Sequence, residues 1–315
     1  MKYWTVSVSG RSADHCDSLY AGLKPSHGRI SGRPTTSLAA STGVLGPIAA
    51  NMVDLEIAYR VMAQPDELDN VSSLFASPGS SSAQSNRRKV LGIYRTWFDR
   101  ADEEVQKVCW KAIDHLTSDL GYELVDITIP MIHDGQMAHA MTILSEISTT
   151  MRSVKDLTAA NKILISVGSK TPAVDFLQAQ KVRSLLMQHL AYLYEQNPGM
   201  IIVTPTTPNA GWHINPGDLK YGCSNGNMSI RNMEYAWLAN FGGCPAISVP
   251  VGYVDPLEGE GKIPIGLMGM NEWCGEDELI AFGYEAESYL HDRCEGGRLR
   301  PEGWVDVCDG LWSST

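Results

Sequence analysis

No apolar run in this 315-residue chain approaches the length of a membrane span, and its first residues carry no apolar segment of the secretory kind. Close Cys/His patterns are also missing. The seven cysteines, Cys16, Cys109, Cys223, Cys244, Cys274, Cys294 and Cys308, are scattered, with no C-x-x-C. That spread argues against a zinc site and for reduced thiols, so the expected location is cytoplasmic. Clustered positive charge is scarce. Twenty-five Lys and Arg stand against 36 Asp and Glu, a net charge of −11, and the only basic run is Arg87, Arg88 and Lys89. A nucleic-acid groove needs grouped cations with stacking aromatics, so nucleic acid is not expected as a direct partner. The glycines of "GLMGM" and "ANFGGCP" fit neither the Walker loop nor the dinucleotide fingerprint.

What remains is an ordinary globular composition, 43% apolar and 19% charged, without internal repeats. The stretch from Gly43 to Met62 reads as a helix with Met52, Leu55, Ile57, Ala58, Val61 and Met62 on one broad face, closed by Pro65. A Ser/Gly/Pro-rich loop follows. Val90 to Tyr94 is a short buried strand. Asp102 is a plausible N-cap, and Val105, Val108, Cys109, Ala112, Ile113, Leu116 and Leu120 recur at helical spacing up to Gly121. Leu124 to Ile129 is the next strand. Strand, helix and strand of this size make a right-handed βαβ unit. Residues 131–195 read as mostly helical. Then "GMIIVTP" is a strand, "SIRNMEYAWLANF" a helix, "CPAISVPVG" and "KIPIGLMGM" strands, and "EDELIAFGYEAESYL" a closing helix. The fold class is α/β, a mixed β-sheet core flanked by helices.

Local motifs for chemistry are weak. "GCSNG", Gly222 to Gly226, has the G-x-S-x-G form of a nucleophile elbow around Ser224. The polar segment "HINPGDLKY" stands where the elbow needs a buried strand, so a glycine-rich loop is the better reading. His133 and His139 are six apart, off register for two metal ligands on one helix face. His115 and His189 fall on helices, where a solvated or satisfied histidine is usual. His213, beside Trp212, is the most site-like histidine, although loop histidines are commonly solvated.

Several quoted stretches, in order, resemble the amidase signature family. "GLKP" at Gly22 to Pro25 with Gly28 and Arg29 is similar to its "GLKP…GR" segment. Gly46 and Pro47, with the helix bearing Asp54, resemble its "GP" helix start. "LGIYRTWFDRADEEV", "TPTTP" at Thr204 to Pro208, "CPAISVPVG", "IPIGLMG" and "EDELIAFGYEAE" follow in family order. Met268 departs from the pattern, where a glutamine is common. The resemblance implies hydrolysis of carboxylic amide C–N bonds through a serine acyl-enzyme, without metal or organic cofactor. It implies a Ser-Ser-Lys triad placed before the "GLKP" segment, with backbone N–H groups of a Gly/Ser-rich loop as the oxyanion hole.

Those catalytic segments have no match here. Lys24 belongs to "GLKP" and is not the triad lysine. Lys2 with Ser7, Ser9 or Ser12 does not reproduce the pattern. The expectation is therefore a truncated amidase-like domain over residues 19–290, an unmatched leader at 1–18 and a tail at 291–315, inactive as it stands. No catalytic residue is assigned. Thr206, Trp212, His213, Tyr221 and Cys223 are the candidates for the substrate-pocket wall, facing a small-molecule amide. The alternative is a non-catalytic binding protein with an amidase-like body. Loss of family strands predicts an exposed sheet edge. The particular amide and the oligomeric state stay open.

Overall fold

A computed structural model describes residues 20–35, 37–79, 88–211, 216–217, 225–257, 259–294 and 296–299. Four of the expected candidates, Trp212, His213, Tyr221 and Cys223, lie outside the described residues, as do Ser224 and the first 19 residues.

Apolar runs become strands, and all of them enter one sheet. Among the described residues these are β1 (Ala21–Lys24), β2 (Ile48–Ala49), β3 (Val90–Ile93), β4 (Glu123–Asp126), β5 (Met200–Pro205), β6 (Ala246–Val254) and β7 (Ile263–Met270), ordered β2-β1-β6-β7-β5-β3-β4. β3 pairs parallel with both β4 and β5, whereas β7 pairs antiparallel with β5 and β6. The mixed α/β sheet expected from the sequence is present, including the βαβ unit, whose crossover carries α2 (Arg95–Phe98) and α3 (Glu103–Ser118). The sheet edges are β2, two residues long, and β4. Ion pairs Arg88–Glu123 (3.1 Å) and Arg95–Asp126 (2.6 Å) put charge along β4, which discourages edge-to-edge pairing.

Helices α1 (Met52–Met62), α3 and α9 (Glu276–Asp292) cover one face of the sheet. Gly283 of α9 lets Met52 and Ile247 close in, since a Cβ there would lie 2.5 Å from the Met52 methyl. A second group of helices is formed by α4 (Ile132–Thr150), α5 (Ala159–Gly168), α6 (Ala173–Gln196), α7 (Gly226–Asn232) and α8 (Ala236–Gly242). Tyr194 of α6 ties this group to the sheet, its hydroxyl donating to the Met270 carbonyl (3.3 Å). No described helix is long and apolar enough to cross a membrane.

Two local expectations need correction, and "GLKP" adds a strand. Gly22 to Lys24 form strand β1, held between β2 and β6, and Gly46 packs so close that a Cβ would sit 1.9 Å from the Leu23 carbonyl oxygen. The first helix starts at Met52, because Asn51 caps it by accepting from the Asp54 amide (2.8 Å) and Ile48–Ala49 is strand. Its buried face is Met52, Leu55 and Tyr59, while Ile57, Val61 and Met62 are exposed. Finally, "SIRNMEYAWLANF" is two short helices. They break at Met233–Tyr235, where Tyr235 turns inward and donates its hydroxyl to the Phe98 carbonyl (2.9 Å).

Candidate functional site

Three parallel strands deliver their carboxyl ends to one end of the sheet: β3 at Ile93, β4 at Asp126 and β5 at Pro205. In open α/β sheets, ligand crevices form outside such ends. A cleft of about 260 Å3 lies there, lined by Tyr94, Thr96, Trp97 and Arg100 after β3, and by Thr128 to Asp134 after β4. Its wall is mixed. Half-buried Tyr94 and Pro130 supply its apolar surface over the buried Trp97, Ile129 and Ile132, and Thr96 and Thr128 are exposed. The volume lies below the roughly 300–1,000 Å3 of a drug-sized ligand site, so the cleft fits one group of a ligand.

The segments around the cleft are cross-braced. Glu234 accepts from the Trp97 indole (3.0 Å) and from Arg100 (2.8 Å) through the same oxygen. This neutralises the cation at the cleft rim and fixes the indole. Asp102 is bound from two sides: its amide donates to the Pro208 carbonyl (2.7 Å), and its carboxylate pairs with Arg231. Asp102 does precede α3, as expected, although its side chain makes no capping bond. The loop after β5 is thereby tied to the start of α3, and through Asp102 to α7. His189 of α6 bonds the Thr128 carbonyl (2.7 Å), the satisfied state expected of a helical histidine.

Thr206 sits at the exit of β5, buried. Its Oγ1 lies 2.6 Å from Oγ of Ser248 on β6. Gly266 makes this possible, because a Cβ there would come within 2.5 Å of Thr206 Oγ1. Nearby, Asn209 accepts from the Gly211 amide (3.0 Å) and shapes the start of the next loop.

A second polar group lies where α4, α6, α8 and residues 39–42 meet. Arg183 of α6 donates to the Ser41 carbonyl (2.7 Å) and lies over the Phe241 ring, while Glu146 accepts from the Ser41 amide (3.1 Å). His139 is buried between the rings of Trp237 and Phe241. Burial, and then the nearby Arg183 charge, lower its pKa to about 3, so it is neutral at ordinary pH. Ser41 Oγ, Thr42 Oγ1, His139 Nε2, Ser145 Oγ, Trp237 Nε1 and the Asn240 amide are all buried without a hydrogen-bond partner among the described residues. Burial without a partner costs such groups about 1–3 kcal/mol each. His133, by contrast, is exposed at the start of α4, where it lines the cleft.

Lys24 is fully buried at the end of β1, donating to the Pro25 carbonyl (2.9 Å). Burial lowers its pKa to about 8, with Cys244 and Glu276 acting in the opposite direction. No group of three or more His, Cys, Asp or Glu suited to a metal occurs among the described residues.

The sequence reading singled out Thr206 but missed Ser248, Tyr94, Trp97, Thr128 and His139. Tyr94 and Thr128 were findable. Each follows directly on the strand ends of a recognised βαβ unit. His139 was not, since nothing in its spacing reports burial.

Fold and site together define an α/β enzyme-like body with its crevice at the strand carboxyl ends. A family model described as Amidase matches residues 14–280, and the chain belongs to the amidase signature family. Among relatives, a "Fatty acid amide hydrolase" of Medicago truncatula is 28% identical over 301 residues, covering 91% of this chain and 47% of that protein. An "Amidase" of Pseudomonas putida is 31% identical over 246 residues, 74% of this chain and 51% of that protein. The chain thus spans about half the length of these curated relatives. In fold it is similar to the peptide amidase PAM, solved with the inhibitor chymostatin, at a TM-score of 0.71 and 19% identity, over 95% of this chain and 63% of that one.

Proposed function

We propose that this chain forms the substrate-facing body of an enzyme that hydrolyses carboxylic amides through a serine acyl-enzyme. The observation that carries the reading is the braced cleft at the carboxyl ends of β3, β4 and β5, in a chain of the amidase signature family. Its half-buried Tyr94 and Pro130, over a buried apolar floor of Trp97, Ile129 and Ile132, suit one end of an acyl or aryl group, and the names of the relatives, fatty acid amide hydrolase among them, agree with an apolar acyl substrate. Thr96 and Thr128 offer hydrogen bonds to the amide end.

The attacking serine, the bridging serine and the lysine are assigned to no described residue. Lys24 is unsuited to the base role, because its ammonium is enclosed and already donates to Pro25. Thr206 and Ser248 satisfy one another and serve to position the strand ends. On this reading the described residues hold the acyl group of the substrate.

The test uses protein purified from its own cells beside the 315-residue chain. Each is incubated with fatty-acyl and aryl amides, quenched with acid and mapped for acylated peptides. The expected result is amine release by the native protein and an acyl ester on a serine outside the described residues. Tight amide binding with no turnover by either preparation supports the non-catalytic binding protein instead.

A further inference from the structure

Helix α1 buries Met52, Leu55 and Tyr59 and leaves its other side open. Val53, Ile57 and Val61, each four residues from the next, form one line along that side and are 53%, 59% and 70% exposed. Three β-branched side chains in a row keep apolar surface in water, which disfavours the bare helix face.

The described chain returns to this helix at its end. Arg298 pairs with Glu287 of α9 (2.9 Å) and donates to the carbonyl of Ala50, just ahead of α1. The same Glu287 accepts from the amide of Met52, the first residue of α1 (3.2 Å). The side chains of the Arg298–Glu287 pair are nearly buried, so the contact fixes the backbone there. The Leu299 amide adds a bond to the Tyr253 hydroxyl of β6 (3.0 Å). The chain is thus held beside the entry to α1, the end at which the apolar line begins.

Residues 300–315, "RPEGWVDVCDGLWSST", lie outside the described residues. Among them are Trp304, Val305, Val307, Leu311 and Trp312. Fully extended, this segment reaches about 50 Å, whereas the step from Val53 to Val61 is about 12 Å. Length and starting point both allow it to run the whole line.

We propose that residues 300–315 dock their apolar side chains on the Val53–Ile57–Val61 line of α1, strapping that helix to the body. The tether favours this occupant. A segment anchored at the end of its own site is present at a millimolar effective concentration. A second copy of the chain is a poor occupant, because a helix about 16 Å long offers far less than the about 800 Å2 per partner of a stable interface.

Photocrosslinking tests the assignment. The 315-residue chain is prepared with Trp304→p-benzoylphenylalanine or Trp312→p-benzoylphenylalanine, irradiated, digested and mapped by mass spectrometry. The expected result is a crosslink from at least one position to the peptide carrying Val53, Ile57 and Val61, within a single chain. Ile57→Asp/Val61→Asp is expected to lower its yield about tenfold or more, since the apolar contacts of both side chains are lost. Circular dichroism should stay unchanged, because both sites are exposed. Crosslinks that map elsewhere, no crosslink from either position, or a yield indifferent to the double variant overturns the proposal. So does a crosslink joining two chains, which assigns the line to a second copy.

Discussion

Thr206 and Ser248 share a hydroxyl–hydroxyl hydrogen bond of 2.6 Å, across a sheet position that only glycine, at Gly266, leaves open. The pair joins the exit of β5 to the entry of β6 from opposite sides of β7. It therefore sets where the loop "TPNAG" begins, the loop whose Pro208 carbonyl accepts from the Asp102 amide.

Removing one hydroxyl leaves the other buried and unpaired, which costs about 1–3 kcal/mol. Ser248→Ala and Thr206→Val are each expected to lower the urea midpoint accordingly. The double variant is expected to cost clearly less than the sum of the two. A double-mutant cycle with no coupling means that the two hydroxyls do not depend on each other.

His139 predicts an acid-side instability. In the unfolded chain its imidazole titrates near 6.5, and in the folded chain burial holds it neutral down to about 3. Between those pH values the unfolded state binds the extra proton. Stability from this group is thus complete above 6.5 and declines as pH falls, by about 1.4 kcal/mol per unit. Urea titrations from about pH 7 down to about pH 4, within the window where the two states differ in protonation, check this on the wild type and His139→Leu. The variant is expected to show the shallower loss, and parallel curves contradict the account.

Gly168→Ala is expected to loosen α5 without unfolding the sheet. The added methyl meets the Leu144 carbonyl oxygen, which is backbone and cannot move aside cheaply. Hydrogen exchange is the measurement: residues 151–170 should exchange faster, while β5, β6 and β7 keep their protection. Faster exchange in the strands as well means that α5 supports the core more than its exposure implies.

Much of the sheet was legible in the sequence because its strands are continuous apolar runs. "MIIVTP", "AISVPVGYV" and "IPIGLMGM" are buried at nearly every position, the pattern of strands covered on both faces. β1 was hidden by its brevity. Four residues containing Gly22 and followed by Pro25 look like a turn until β2 and β6 flank them. The α7–α8 break was hidden too, since Glu234 and Tyr235 keep helical spacing while leaving the helix to brace Trp97 and Phe98. Of the candidate pocket residues only Thr206 falls within the described part. The cleft itself depends on topology. Tyr94 and Thr128 are about thirty-five positions apart in the chain and become neighbours only because β3 and β4 pair in parallel. The orphaned polar atoms around His139 arise from packing of separate helices, which no single segment encodes.

The most direct test of the central claim is kinetic. Tyr94→Ala removes the half-buried aromatic ring of the cleft just beyond the end of β3, and its effect is read as kcat/KM for a fatty-acyl amide in protein from its own cells. The account predicts a loss of about tenfold or more, carried by KM, because burial of an acyl group against an aromatic ring contributes about 1.5 kcal/mol or more to binding. Wild-type kinetics unchanged by Tyr94→Ala would place the acyl group elsewhere and contradict the assignment of this cleft.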